Sequence, residues 1–134
     1  MILLRHLIML GVASFALGLV GCSDASAPEG ERFIFRESLT SDVIRIDVSD
    51  PTGLGEAENL LRSGEARWVL GTPRHGNGGF NSPWTWHLDP ASISFAEITI
   101  EACQTRAEAI ADDLDYWIGF GQVCLWGVVA ARER

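Results

Sequence analysis

Lysine is absent from this chain of 134 residues, and ten arginines carry all the positive charge against eighteen acidic residues, a formal net charge of −8. That balance argues against a nucleic-acid partner, which needs a basic patch, and against electrostatic attachment to an anionic membrane surface. Cysteine is scarce, with three residues and no Cys-x-x-Cys pair, so no metal knuckle is written into the spacing. No His-Glu-x-x-His is present, and no serine sits in a nucleophile-elbow context. The glycines of Thr72–Gly79 (TPRHGNGG) are followed by neither Lys-Ser/Thr nor a helical pattern. They read as an inter-strand loop and not as a phosphate cradle. No apolar run reaches the roughly 20 residues of a membrane span.

What is present begins with Met1–Gly21, where Arg5 and His6 precede an apolar run from Leu7 to Val20. A basic start and a short apolar core read as a secretory signal. Leu19-Val20-Gly21-Cys22 resembles the bacterial lipobox, which implies that Cys22 becomes the acylated, palmitate-bearing first residue of the mature protein. The lipid chains then hold the protein at a membrane through their buried CH₂ groups. Residues 22–31 form a small, polar, acidic tether that cannot bury a core. Ser23 follows the cysteine, a pattern that in Gram-negative sorting favours the outer membrane. The expected location is therefore the bacterial cell envelope. The expected organisation is a signal peptide at 1–21, an acylated Cys and tether at 22–31, and one domain at 32–133.

Within that domain, Arg32–Arg36, Val43–Val48, Arg67–Gly71 and Val123–Ala131 carry strand patterns. Asp50-Pro51 is a helix start, with Asp as N-cap and Pro in the first turn. Leu54, Ala57 and Leu61 continue it at helical spacing, and Gly64 ends it. Thr105-Arg-Ala-Glu108 has the form of a capping box. Ala107, Ile110, Ala111, Leu114 and Ile118 then predict one helix stopped by Gly119. Asp112, Asp113 and Asp115 near its C-terminal end read as a solvated acidic face, with a cation site as the alternative.

The stretch Asn81–Cys103 (NSPWTWHLDPASISFAEITIEAC) is the richest in the chain. Trp84, Trp86 and Leu88 alternate with Thr85 and His87, which puts the indoles on one face of a strand and the histidine on the other. Asp89-Pro90 is a turn. A second run follows, Ile93 and Phe95 and then Ile98, Ile100 and Ala102, with a change of parity at Ala96–Glu97 that predicts a bulge or a break. The simplest reading of the two runs is a β-hairpin. Phe80, Asn81, Pro83, Trp84, Trp86, His87 and Pro90, then Glu101 and Cys103, then Cys124 and Trp126 resemble the N-terminal domain family of a eukaryotic calmodulin-binding protein, a domain that also occurs in small bacterial proteins. The likeness covers about Val43 to Glu133, and Val123 stands where the family pattern has Trp. The resemblance brings no activity with it. Calmodulin binding does not follow either, because a target needs a basic amphipathic helix and this chain offers an acidic one.

With Cys22 assigned to the lipobox, Cys103 and Cys124 are an even pair in an exported protein, and the natural reading is a disulfide. Trp84, Trp86, His87 and Asp89 are the candidate ligand-binding residues. His87 with Asp89 could be a base with an orienting carboxylate, and the tryptophans a stacking platform for a sugar or peptide. Against this, a His on the polar side of a strand is usually structural, and large aromatics usually fill small cores. No cofactor, metal set or catalytic residue is identified. The fold expected is α+β: a single small domain, a mostly antiparallel sheet with two helices on one face and one disulfide. The element order invites a ferredoxin-like topology, but that arrangement would hold Cys103 and Cys124 too far apart to bond. Function reduces to two readings: a lipid-anchored, non-catalytic envelope module that binds an unknown protein or small ligand, or a small envelope hydrolase using His87.

Overall fold

The structure is a computed structural model and describes residues 30–99 and 103–134. The signal peptide, Cys22 and most of the tether lie outside the described residues, as do Ile100, Glu101 and Ala102. The chain runs β1 (Glu31–Glu37), β2 (Val43–Val48), α1 (Pro51–Ser63), β3 (Ala66–Gly71), β4 (Pro73–His75), β5 (Trp86–Leu88), a 3₁₀ turn (Pro90–Ser92), β6 (Ser94–Ala96), α2 (Ala107–Asp112), α3 (Leu114–Phe120) and β7 (Val123–Glu133). Five strands form one sheet in the order β2-β1-β7-β3-β6, every pair antiparallel. β4 and β5 make a second, two-stranded sheet.

Strand alternation sorts the large sheet into two faces. Phe33, Phe35, Ile44, Ile46, Val48, Val69, Leu125 and Val129 point into the core, each at most 3% exposed. Ala57 and Leu60 of α1, Ala107 and Ile110 of α2, and Trp86 and Leu88 of β5 meet them there. All three helices and the small sheet therefore lie on one side. This is the expected α+β layout, with a third helix where two were foreseen.

α1 starts and stops as its sequence predicts. The Asp50 side chain accepts from the Gly53 N–H at 2.9 Å, and Gly64, at φ +69°, donates its N–H to the Leu60 carbonyl. The second helix departs from expectation. Asp113 leaves helical geometry (φ −141°, ψ 59°) and splits it into α2 and α3, which runs on through Gly119 to end at Gly121. Three aspartates within four positions, at a helix end already negative by its dipole, disfavour continuation. The Trp117 indole N–H donates to the Ala109 carbonyl and folds α3 back against α2. The capping box does not form either: Arg106 occupies the cap position with no side-chain bond to the helix.

That break explains how the disulfide coexists with the sheet. An unbroken helix of 12 or so residues would carry the chain roughly 18 Å away. Folded back on itself, the excursion returns Cys124 to within 5.1 Å of Cys103, Cα to Cα, and the two are bonded. Gln104 lies beside Cys124 as an isolated parallel bridge, in the place β1 leaves vacant along the start of β7.

Candidate functional site

The central stretch is not a hairpin. β5 pairs with β4, Arg74 opposite His87 and His75 opposite Trp86, whereas β6 pairs with β3 in the other sheet. Part of the loop expected at Thr72–Gly79 is thus strand β4. The reason is the turn between the two runs. The Asp89 carboxylate accepts from the Ala91 N–H and caps a 3₁₀ turn at Pro90–Ser92. Ser92 Oγ then accepts from the Thr72 N–H. The chain is redirected toward the large sheet and does not reverse on β5.

Each candidate residue has a definite place. Trp86 is fully buried, and its indole N–H has no hydrogen-bond partner among the described residues. Trp84 is half-buried, 5.9 Å from Trp86 between ring centroids, and its indole N–H donates to the Val43 carbonyl at 3.0 Å. His87 points the other way, as the alternation requires. Its Nδ1 bonds the Gly76 carbonyl at 2.7 Å, and its ring meets Phe80 edge-on at 5.6 Å. Asp89 goes to Arg74 (2.8 Å) and to the turn. The bond from Arg74 holds its carboxyl below the ordinary carboxylate range, against a smaller opposing push from burial. The two tryptophans are brought together, while His87 and Asp89 are each taken up by different partners and form no bond to one another. Cys103 and Cys124 are paired.

What this stretch does is close a sheet edge. β2 is an outermost strand, and Val43, Arg45 and Ser49 turn their backbone groups outward. Asn81, fully buried, accepts from the Arg45 N–H through Oδ1 and donates through Nδ2 to the Trp86 carbonyl, each at 2.9 Å. Trp84 takes the Val43 carbonyl, and the Ser49 N–H donates to the Pro90 carbonyl. An unpaired strand edge invites wrong pairing, and here side chains occupy it.

The family model of the N-terminal domain that the words around Trp84 resemble, that of the eukaryotic calmodulin-binding protein, matches residues 29–134, from just before β1 to the end of β7. The chain belongs to that family. The match reaches further towards the N-terminus than the words around Trp84–Pro90 suggest and takes in the whole described domain. No curated protein and no solved structure matches the chain.

The exposed aromatic surface of this family member lies elsewhere, on the sheet face away from the helices. Because Val69 and Leu125 point into the core, their neighbours Trp68 and Trp126 point out. They are paired across β3 and β7, with ring centroids 5.2 Å apart and planes tilted by 51°. Both are only partly buried. With Leu39 and Glu97 they line a shallow cleft of about 290 Å³, which continues past Gln104, Thr105 and Arg106. Leu39 is 73% exposed, and Ile98, next to Glu97, is 85% exposed. His87 lines no part of this cleft. Sequence reasoning placed Trp126 in the family pattern and passed over Trp68. The signal was there: with Val69 facing the core, Trp68 had to face away. Among the described residues, no group of three His, Cys, Asp or Glu side chains is placed to hold a metal ion. The second concavity, about 220 Å³, lies between α1 and β6 and has Leu60, Phe95, Glu56 and Glu97 among its walls.

Proposed function

We propose that this chain is a lipid-anchored, non-catalytic binding module of the bacterial cell envelope that presents its open sheet face to a ligand. One observation carries the reading: the partly exposed Trp68–Trp126 pair, on a face that no described helix covers, beside the exposed Leu39. A small domain that leaves large aromatics in contact with water uses them to bind. Cys22 supplies the membrane attachment, and the tether holds the face clear of the bilayer. The hydrolase reading has less support, because the His87 ring nitrogen is taken by a backbone carbonyl and Asp89 by Arg74 and a turn.

The test is in-cell photo-crosslinking of the full lipidated chain from position Leu39. An adduct with an envelope component is expected, and Trp68→Ala combined with Trp126→Ala should remove it without unfolding the domain. An adduct indifferent to both substitutions, or none at all, counts against the reading. Cys22→Ala should release the protein from the membrane, and mature-sized, membrane-bound protein in that variant would contradict the anchor.

A further inference from the structure

The two edges of the large sheet are treated differently. The β2 edge is occupied by Asn81, Trp84 and the Pro90 carbonyl. β6, at the opposite edge, has no comparable cover: among the described residues, no loop backbone or side chain bonds the outward groups of Ser94–Ala96. Beside that edge lies the concavity of about 220 Å³, with an apolar floor of Leu60 and Phe95 and the carboxylates of Glu56 and Glu97 at its rim. Arg67, which also lines it, is engaged by Glu65 and Glu97. On the other face of the same strand, Ala96 sits opposite Trp68.

We infer that the β6 edge and the α1 groove receive an extended peptide strand from a partner, with a basic side chain seated in the groove. A strand added to β6 would satisfy its outward N–H and C=O groups, which is how exposed edges take up peptides. Its side chains alternate between the two faces. One set enters the groove, where a long cationic side chain lays its methylenes on Leu60 and Phe95 and its charge between Glu56 and Glu97. The other set passes over the small Ala96 towards the Trp68 indole, within the cross-strand reach of an aromatic residue. The charge complementarity is general as well as local, since the chain carries −8 overall. This rests on the binding-module reading and names the chemistry of its partner; it does not depend on the lipid anchor.

The experiment uses the isotope-labelled full chain in detergent micelles and short blocked peptides of alternating Val and Thr with one central Arg, Leu or Glu. The Arg peptide should bind severalfold more tightly than the Glu peptide. It should also shift and protect the amides of Ser94, Phe95 and Ala96. Glu56→Lys, a change at the groove rim, should invert that order, and N-methylation of alternate peptide amides should abolish binding in one of the two registers. Binding that leaves the β6 amides unshifted, N-methyl peptides that bind equally well in both registers, or an edge filled by a second copy of this chain at working concentration would each overturn the proposal. If no peptide binds while the Leu39 adduct remains sensitive to Trp68→Ala, the peptide inference fails and the binding-module reading survives.

Discussion

At Asn81 one amide side chain holds together two elements that the chain order keeps apart, accepting from Arg45 in β2 and donating to Trp86 in β5. Asn81→Ala leaves a buried N–H and a buried C=O unmatched, and each such group costs about 1–3 kcal/mol. A loss of about 2–4 kcal/mol is expected, readable as a lower urea midpoint with an unchanged slope. Trp86→Ala should cost about 3–5 kcal/mol by cavity formation, and Trp84→Ala less, since half of that ring already meets water. Equal losses for the two would mean that Trp84 is more deeply packed than its exposure indicates. Asp89 contributes differently. Its folded-state pKa lies below the unfolded value because Arg74 bonds the carboxylate. Its stabilisation is therefore fully present above about pH 4, the unfolded value, and fades as pH falls through the depressed folded value. Arg74 is half-exposed and the pair is screened, so the effect is small. Asp89→Asn should lower stability slightly at neutral pH and make the acid limb of the stability curve shallower. An acid limb identical to that of the unsubstituted protein would remove Asp89 from the account.

Among the elements, β7 is the longest strand and the one both halves of the sheet lean on, pairing with β1 and β3. Gly127 lies in its middle, where a glycine ordinarily weakens a strand. A Cβ there would fall 2.1 Å from the Arg36 carbonyl oxygen and 2.7 Å from the Phe35 ring. The close approach of β1 to β7 thus needs a residue with no side chain. Gly127→Ala should prevent accumulation of folded protein or lower its melting temperature steeply; a near-neutral melt would show that β1 can move aside. The helices tell the complementary story. The 107–118 pattern correctly announced apolar residues at helical spacing, and Ala107 and Ile110 are fully buried. Spacing says nothing about where a helix bends, and three aspartates with a clip from Trp117 to Ala109 decided that.

For the whole domain, the disulfide closes a loop of 21 residues that contains both short helices. In the chain-entropy view a loop of this length is worth about 3 kcal/mol. Reduction should lower the urea midpoint accordingly, with α2 and α3 losing hydrogen-exchange protection before β1 and β2. Uniform loss across the sheet would mean that the loop is not a separate unit. Much of this architecture was legible from residues alone. Alternation announced β2 to the residue, Asp50 and Gly64 marked the ends of α1, and cysteine parity pointed to the bond between Cys103 and Cys124. Pairing was not legible, because alternation fixes which side a residue faces and not which strand it meets. Two runs separated only by Asp89–Ser92 look like a hairpin until the capped 3₁₀ turn sends them to different sheets. The candidate site slipped for a related reason: Trp84 and Trp86 were conspicuous in a recognisable motif, yet the motif holds the frame together. Trp68, alone in a plain strand, is the ring left at the surface.

The unequal sheet edges also limit how copies of this chain can assemble. A sheet that could be extended from both sides would polymerise, each subunit offering one edge and accepting at the other, which is the geometry of an open filament. Here one side is stopped by Asn81 and Trp84. Any self-association through strands must join β6 to β6 about a two-fold axis, and the product has two blocked ends. Crowding on a membrane surface would then stall at pairs instead of growing fibres. Asn81→Ala, by opening the second edge, is the substitution expected to turn a terminating assembly into a propagating one, visible as light scattering that rises without a plateau.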